Sequence, residues 1–156
     1  MSTDQLKIRR AEKSDIPEIL MMIKELAEYE KLLHEVVTTE EHLEKVIFGE
    51  QKFVEVLIAE LDATLAGQTI FFQNFSTFVG RPGLYIEDLY VRPEFRGKGI
   101  GKALLNEVIN LAKQRNCGRV EWVVLDWNKS AIDFYNSIGA KPLDEWTIFR
   151  LTEDKF

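Results

Sequence analysis

The stretch Leu84-Tyr-Ile-Glu-Asp-Leu-Tyr-Val91-Arg-Pro-Glu-Phe-Arg96-Gly97-Lys98-Gly99-Ile100-Gly101-Lys102 decides how this chain folds. Leu84 to Val91 is mostly apolar and rich in aromatic and β-branched residues, which predicts a central strand. Beyond Lys102, the residues Ala103, Leu104, Val108, Ile109, Leu111 and Ala112 recur on one helix face, with a stop near Asn116-Cys117-Gly118. A glycine-rich turn joins the two. Glycines allow tight turning and close approach, and the unpaired N–H groups of a helix's first turn favour an anion. Spacing removes two nucleotide loops. A P-loop requires Gly-Lys-Ser/Thr, whereas Lys102 precedes Ala103, and Gly-x-Gly-x-x-Gly fails from Gly97 and again from Gly99.

Arg119 to Leu125 predicts the next strand, so Leu84 to Leu125 forms a parallel, right-handed β-α-β crossover. Ser130 to Ile138 predicts a helix closed by Gly139, and Trp146 to Leu151 a last strand. Upstream, Leu6 to Arg10 alternates as a strand. Asp15 and Glu18 are spaced as a capping box for a helix bearing Ile16, Ile19, Leu20, Ile23, Leu26 and Ala27, which runs into Glu28-Tyr29-Glu30. Thr38-Thr-Glu-Glu41 opens a second helix that Gly49 closes, and Phe53 to Leu61 and Leu65 to Phe75 form a hairpin across Asp62-Ala-Thr64. The order β-α-α-β-β-β-α-β-α-β is that of an α/β protein with a mixed sheet and helices on both faces. Without repeats or a Pro/Gly/Ser-rich linker, residues 1–156 are expected to form a single domain.

The 156 residues carry 26 Asp and Glu against 20 Lys and Arg, a net charge of −6. That excess argues against nucleic acid held through phosphates and mildly favours a cationic partner, with solubility the simpler explanation. One cysteine forms no internal disulfide, and with His34 and His42 as the only histidines no metal site is expected. No apolar run reaches the roughly 18 residues of a membrane span, and Met1-Ser-Thr-Asp-Gln5 lacks signal-peptide features. The expectation is a cytoplasmic protein without a membrane partner.

Arg96-x-x-Gly99-x-Gly101, after a strand and at the head of a helix, resembles the signature of the GCN5-related N-acetyltransferase superfamily. So does Asp126-Trp-Asn128-Lys-Ser130-Ala131-Ile-Asp-Phe-Tyr135 with Gly139-Ala140. The similarity runs from Ile8 to Leu151 and is nearest to diamine acetyltransferases of the spermidine/spermine and thialysine type. This resemblance implies a sheet split between two parallel strands, acetyl-CoA as cosubstrate and no metal. It implies that Arg96, Gly97, Lys98, Gly99, Ile100, Gly101 and Lys102 hold the pyrophosphate, while the backbone of Leu89, Tyr90 and Val91 meets the acetyl and pantetheine portion. Asn128, Ser130, Ala131 and Tyr135 complete the coenzyme site, with Tyr135 as the acid that protonates the departing thiolate. On the acceptor side it implies Tyr29, Glu30, Glu87, Glu121, Trp122, Val123 and Glu145 or Asp144, to which the strand itself adds Asp88 as a candidate, and it implies a homodimer.

Amine acylation needs a neutral amine, a stabilised oxyanion and a proton for the thiolate. A lysine-like amine of pKa about 10.4 is neutral in about one molecule in a few thousand near pH 7, so a carboxylate that takes its proton is useful. Glu87 and Asp88 are the acids of the central strand. Alternation puts them on opposite faces unless a bulge intervenes, and Glu87 is the expected catalytic group. The competing reading pairs one of them with a cation such as Arg119. Asn74 to Gly83 holds no acid and contains Arg81, which disfavours a long polyamine and points to a diamine or an amino-acid-like acceptor. Acetylation of peptide or protein amines, and acyl-CoA binding without turnover, are the alternatives. His34, His42 and Cys117 read as structural, and Trp122 and Trp146 as core or dimer-contact residues.

Overall fold

The chain divides into two compact units, Met1–Val123 and Val124–Phe156; the structure, a computed structural model, describes residues 5–156. The first unit contains β1 (Leu6–Arg10), α1 (Ile16–Tyr29), α2 (Glu40–Phe48), β2 (Glu55–Leu61), β3 (Thr64–Ser76), β4 (Arg81–Val91), α3 (Ile100–Gln114) and β5 (Val120–Glu121). The strands lie in sequence order in one sheet, antiparallel except for the parallel pair β4–β5. This is the expected mixed α/β architecture with its crossover through α3. The β2–β3 turn is Asp62-Ala63 with φ of 51° and 65°, the left-handed pair of a two-residue hairpin. The β3–β4 hairpin is longer than its apolar runs predict, because both strands continue to Ser76 and Arg81.

On one face of the sheet, Ile16, Ile19 and Met22 of α1 and Leu43 and Ile47 of α2 pack against Val56, Ile58, Ile70 and Tyr90. The alternate positions Leu57, Ala59, Phe71 and Leu84 are also buried, and α3 packs its buried Leu104, Leu105 and Val108 against β3 and β4. Each buried Val, Leu, Ile, Phe or Met side chain among these contributes about 1.5–3 kcal/mol by leaving water.

Charged groups set the entry to α1. Arg9 bridges Asp15 and Glu60, each at 2.7 Å, and its guanidinium holds the Asp15 carboxyl below the ordinary value. Asp15 Oδ2 also accepts the Glu12 N–H at 2.7 Å. The capping box therefore runs from Glu12 to Asp15 rather than from Asp15 to Glu18. Glu18 serves elsewhere: Arg92, just past β4, donates to Glu18 at 2.7 Å, to Glu25 at 3.1 Å and to the Leu65 carbonyl at 3.0 Å. The Tyr90 hydroxyl donates to the same Glu25 at 3.2 Å, so α1 is clamped to the end of β4.

In the second unit, α4 (Lys129–Ser137) follows the cap residue Asn128, and Gly139 turns the chain with φ of 91°. Two strand expectations are corrected. β5 spans only Val120–Glu121 instead of Arg119 to Leu125, and Trp146 to Leu151 forms no strand. Trp146, Ile148 and Phe149 are 70%, 70% and 92% exposed, so Trp146 is not a core residue. Alternating residues make a strand only where a neighbouring strand takes up the backbone N–H and C=O groups.

Candidate active site

The site begins with one extra residue in β4. Ile70 pairs with Asp88 but Phe71 with Ile86, which leaves Glu87 as a bulge. Hydrogen bonds on either side show its effect. Leu84 donates its N–H to the Arg119 carbonyl, on the β5 side, whereas Arg92 donates to the Ala66 carbonyl, on the β3 side. These residues are an even number apart, so an unbroken strand would point both the same way. Past the bulge, alternation turns the N–H groups of Leu89 and Val91 toward the β5 side. There β4 and β5 pair only at Leu84–Val120 and Tyr85–Glu121, and among the described residues no further strand pair closes that edge. The expected split between parallel strands is thus present, lined by outward-facing amides.

From Val91 the chain turns through Arg96 to Gly99 into α3. Gly97 and Gly99 have φ of 79° and 77°, and an added Cβ at either would meet nothing within 4 Å. Backbone conformation, rather than lack of space, requires glycine there. The loop is open and exposed, Ile100 anchors the helix behind it, and Arg96, Lys98 and Lys102 add positive charge. These features fit an anionic group at the head of α3. Arg96 donates from Nε to the Val91 carbonyl at 3.1 Å, and its guanidinium lies 5.3 Å from the centre of the Tyr29 ring. A residue assigned to the coenzyme and one assigned to the acceptor are therefore in contact.

A cavity of about 480 Å³ lies within the first unit, bounded by α1, the α1–α2 loop, α2 and β4. Its apolar wall includes Ile23, Leu26, Ala27, Leu43, Val46, Val54 and Ile70; its polar groups are Glu30, Glu35, Thr38, His42, Glu87 and Asp88, and its lining contains no lysine or arginine. Because of the bulge, Glu87 and Asp88 both line it instead of facing opposite ways. Burial, reinforced by the charges of Glu87 and Glu30, pushes the Asp88 carboxyl up to about 7, and burial also raises Glu30.

A carboxyl raised by folding stabilises the fold least when it must ionise. The unfolded Asp88 ionises near 4, the folded one near 7, so stability falls as pH rises through this window and stays lower above it. Asp88→Asn should therefore raise the melting temperature progressively more from pH 4 to pH 7, with a level gain beyond. A gain independent of pH in thermal melts would contradict this.

Sequence reasoning missed two residues. Tyr85 pairs laterally with Phe72 and Glu121, its ring is 5.1 Å from that of Phe72, and burial together with Glu87 and Glu121 raises its hydroxyl pKa. Only strand register reveals that row. His42, expected to be structural, does cap α2 through the Thr39-x-x-His42 spacing, but it also lines the cavity, which that local spacing does not signal. Arg119 pairs with Glu121 at 3.0 Å, not with Glu87 or Asp88. Trp122 and Val123 follow β5, the first half-buried and the second exposed. The second unit carries the remaining candidates. Asn128 Oδ1 accepts the Ala131 N–H and the Ser130 hydroxyl, both at 3.4 Å; Tyr135 is half-buried, 5.6 Å from the Phe134 ring, and Glu145 is exposed.

The Acetyltransferase (GNAT) family model matches residues 19–140; the chain belongs to that family and is an N-acetyltransferase. It is 41% identical over 154 residues to thialysine N-epsilon-acetyltransferase of Sus scrofa, covering 92% of this chain and 90% of the relative. It is 33% identical to L-ornithine N5-acetyltransferase of Arabidopsis thaliana, covering 95% and 85%. Among solved structures, an integron cassette protein of V. cholerae superposes with a TM-score of 0.79 at 27% identity, covering 96% of this chain and 94% of that one.

Proposed function

We propose that this chain transfers the acetyl group of acetyl-CoA to a primary amine of a small cationic acceptor, a diamine or a lysine-like amino acid, by direct attack in a ternary complex. The observation that carries this is the cavity holding Glu30, Glu87 and Asp88 with no lysine or arginine in its lining. Acetyl-CoA supplies the activated thioester carbonyl. The loop from Arg96 to Lys102 binds the pyrophosphate, and the backbone of Leu89, Tyr90 and Val91 aligns the pantetheine. The Leu89 N–H serves as oxyanion donor, a contribution of about 3 kcal/mol. Glu87 takes the amine proton, directly or through water, while Glu30, Asp88 and Glu121 favour the ammonium and Tyr29, Trp122, Val123 and Glu145 complete its surroundings. On the motif alone, Asn128, Ser130 and Ala131 of the second unit are assigned to the coenzyme and Tyr135 to protonating the thiolate.

The names of the relatives support an amine acceptor of this size. A cytoplasmic, metal-free enzyme whose 156 residues act as one domain belongs to the same proposal. So does a homodimer, for which the exposed apolar residues Trp146, Ile148 and Phe149 offer a surface. Thiol release from acetyl-CoA over a panel of thialysine, lysine, ornithine, diamines, polyamines and peptides tests the reading. Release is expected with the short amines, and no release with any amine would overturn it.

A further inference from the structure

The cavity has two chemically different walls. Glu30 at the end of α1 and Glu87 and Asp88 on β4 make an all-carboxylate wall, and Glu87 and Glu30 are the charges that act on Asp88. The α1–α2 loop and the start of α2 contribute Glu35, Thr38 and His42. Apolar side chains such as Ile23, Leu26, Val46 and Ile70 line the remainder.

His42 is held in one tautomer by its own cap. Nδ1 accepts the Thr39 N–H at 3.2 Å, and the His42 backbone N–H donates to Thr39 Oγ1 at 3.1 Å. A neutral imidazole that accepts at Nδ1 carries its proton on Nε2. His42 lines the cavity, and its cap leaves Nε2 as the ring atom available to donate there. Glu35, whose Oε1 lies 3.5 Å from His34 Nε2, adds a carboxylate to the same wall. Donor and carboxylate together match an ammonium and a carboxylate on one carbon; a second bare ammonium would call for acceptors alone.

We infer that His42 is the specificity residue of this cavity, its Nε2–H holding the α-carboxylate of an acceptor whose reacting amine lies at the other end of an apolar stem. This rests on the cavity being the acceptor site of an acetyltransferase, and adds which acceptors it prefers and through which atom. The apolar middle suits the methylenes of such a stem.

L-Ornithine and putrescine differ only by the α-carboxylate, so the ratio of their kcat/KM values isolates this contact. Two variants preserve the cap. Gln and Glu both accept the Thr39 N–H from the third helix position, as in a capping box. His42→Gln also keeps a donor, whereas His42→Glu replaces it with a charge that repels the carboxylate. Wild type and His42→Gln should prefer ornithine, and His42→Glu should lower the ornithine-to-putrescine ratio at least about tenfold, in keeping with a hydrogen bond to a charged group. An unchanged ratio in His42→Glu, or a wild-type preference for putrescine, overturns the assignment.

Calorimetric binding of the two amines in the presence of CoA separates this from the failure of the enzymatic reading. Preferential ornithine binding that is lost in His42→Glu, without thiol release from acetyl-CoA, would refute acetyl transfer and uphold His42. Turnover of both amines at a ratio indifferent to His42 would do the reverse, and binding of neither amine would overturn the assignment of His42.

Discussion

Tyr135→Phe is expected to lower kcat about a hundredfold or more while leaving the affinity for acetyl-CoA within about twofold. A positioned general acid contributes roughly 10²–10⁴-fold, and an interaction made only as the thiolate departs is lost from kcat rather than from ground-state binding. Phenylalanine keeps the ring beside Phe134 and its place on α4, so only the hydroxyl disappears. Steady-state kinetics combined with calorimetric titration of the coenzyme reads both quantities. An unchanged kcat would remove Tyr135 as the acid.

The largest expected loss of stability comes from Arg92→Met. The Arg92 side chain is 13% exposed and joins Glu18, Glu25 and the Leu65 carbonyl. Methionine fills most of the stem but leaves Glu25 beside Tyr90 without its cation. Stripping one partner from a buried ion pair costs about 3–5 kcal/mol. Here Glu18 and Glu25 are 43% and 29% exposed, so solvent reduces the expectation to the lower end, about 3 kcal/mol. For a chain of this size that corresponds to a melting temperature lower by roughly 6–12 °C. Adding Glu25→Gln should restore part of it, because the uncompensated charge is then gone. A drop of less than about 2 °C for the single variant would show that the clamp is dispensable.

Local patterns made most of the first unit legible. From Leu84 to Ala112 the change from strand to glycine turn to helix is written in consecutive residues, and α1, α2 and the Asp62-Ala63 hairpin announce themselves in the same way. What escaped depended on partners remote in sequence. Asp15 has acids at capping-box spacing on both sides; Glu18 is bonded by Arg92, distant in sequence, while Asp15 takes the Glu12 N–H. The bulge at Glu87 exists as a mismatch between β3 and β4, so β4 alone could allow it but not place it. His42 belongs to the cavity because the α1–α2 loop brings α2 to β4. Trp146 to Leu151 has strand-like residues but no strand in the structure.

The bulge acts on β4 as a frameshift acts on a message. Before Glu87 the even-numbered amide of Leu84 is spent on the β5 side, on Arg119, while after it the even-numbered amide of Arg92 is spent on β3. Two half-strands of opposite phase therefore share one element, and the second keeps its alignment with β3 while offering its other amides outward. In-phase continuation would have put the Leu89 and Val91 amides on β3 and sealed them within the sheet. A single inserted residue thus separates the part of the strand that builds the protein from the part that is available for chemistry.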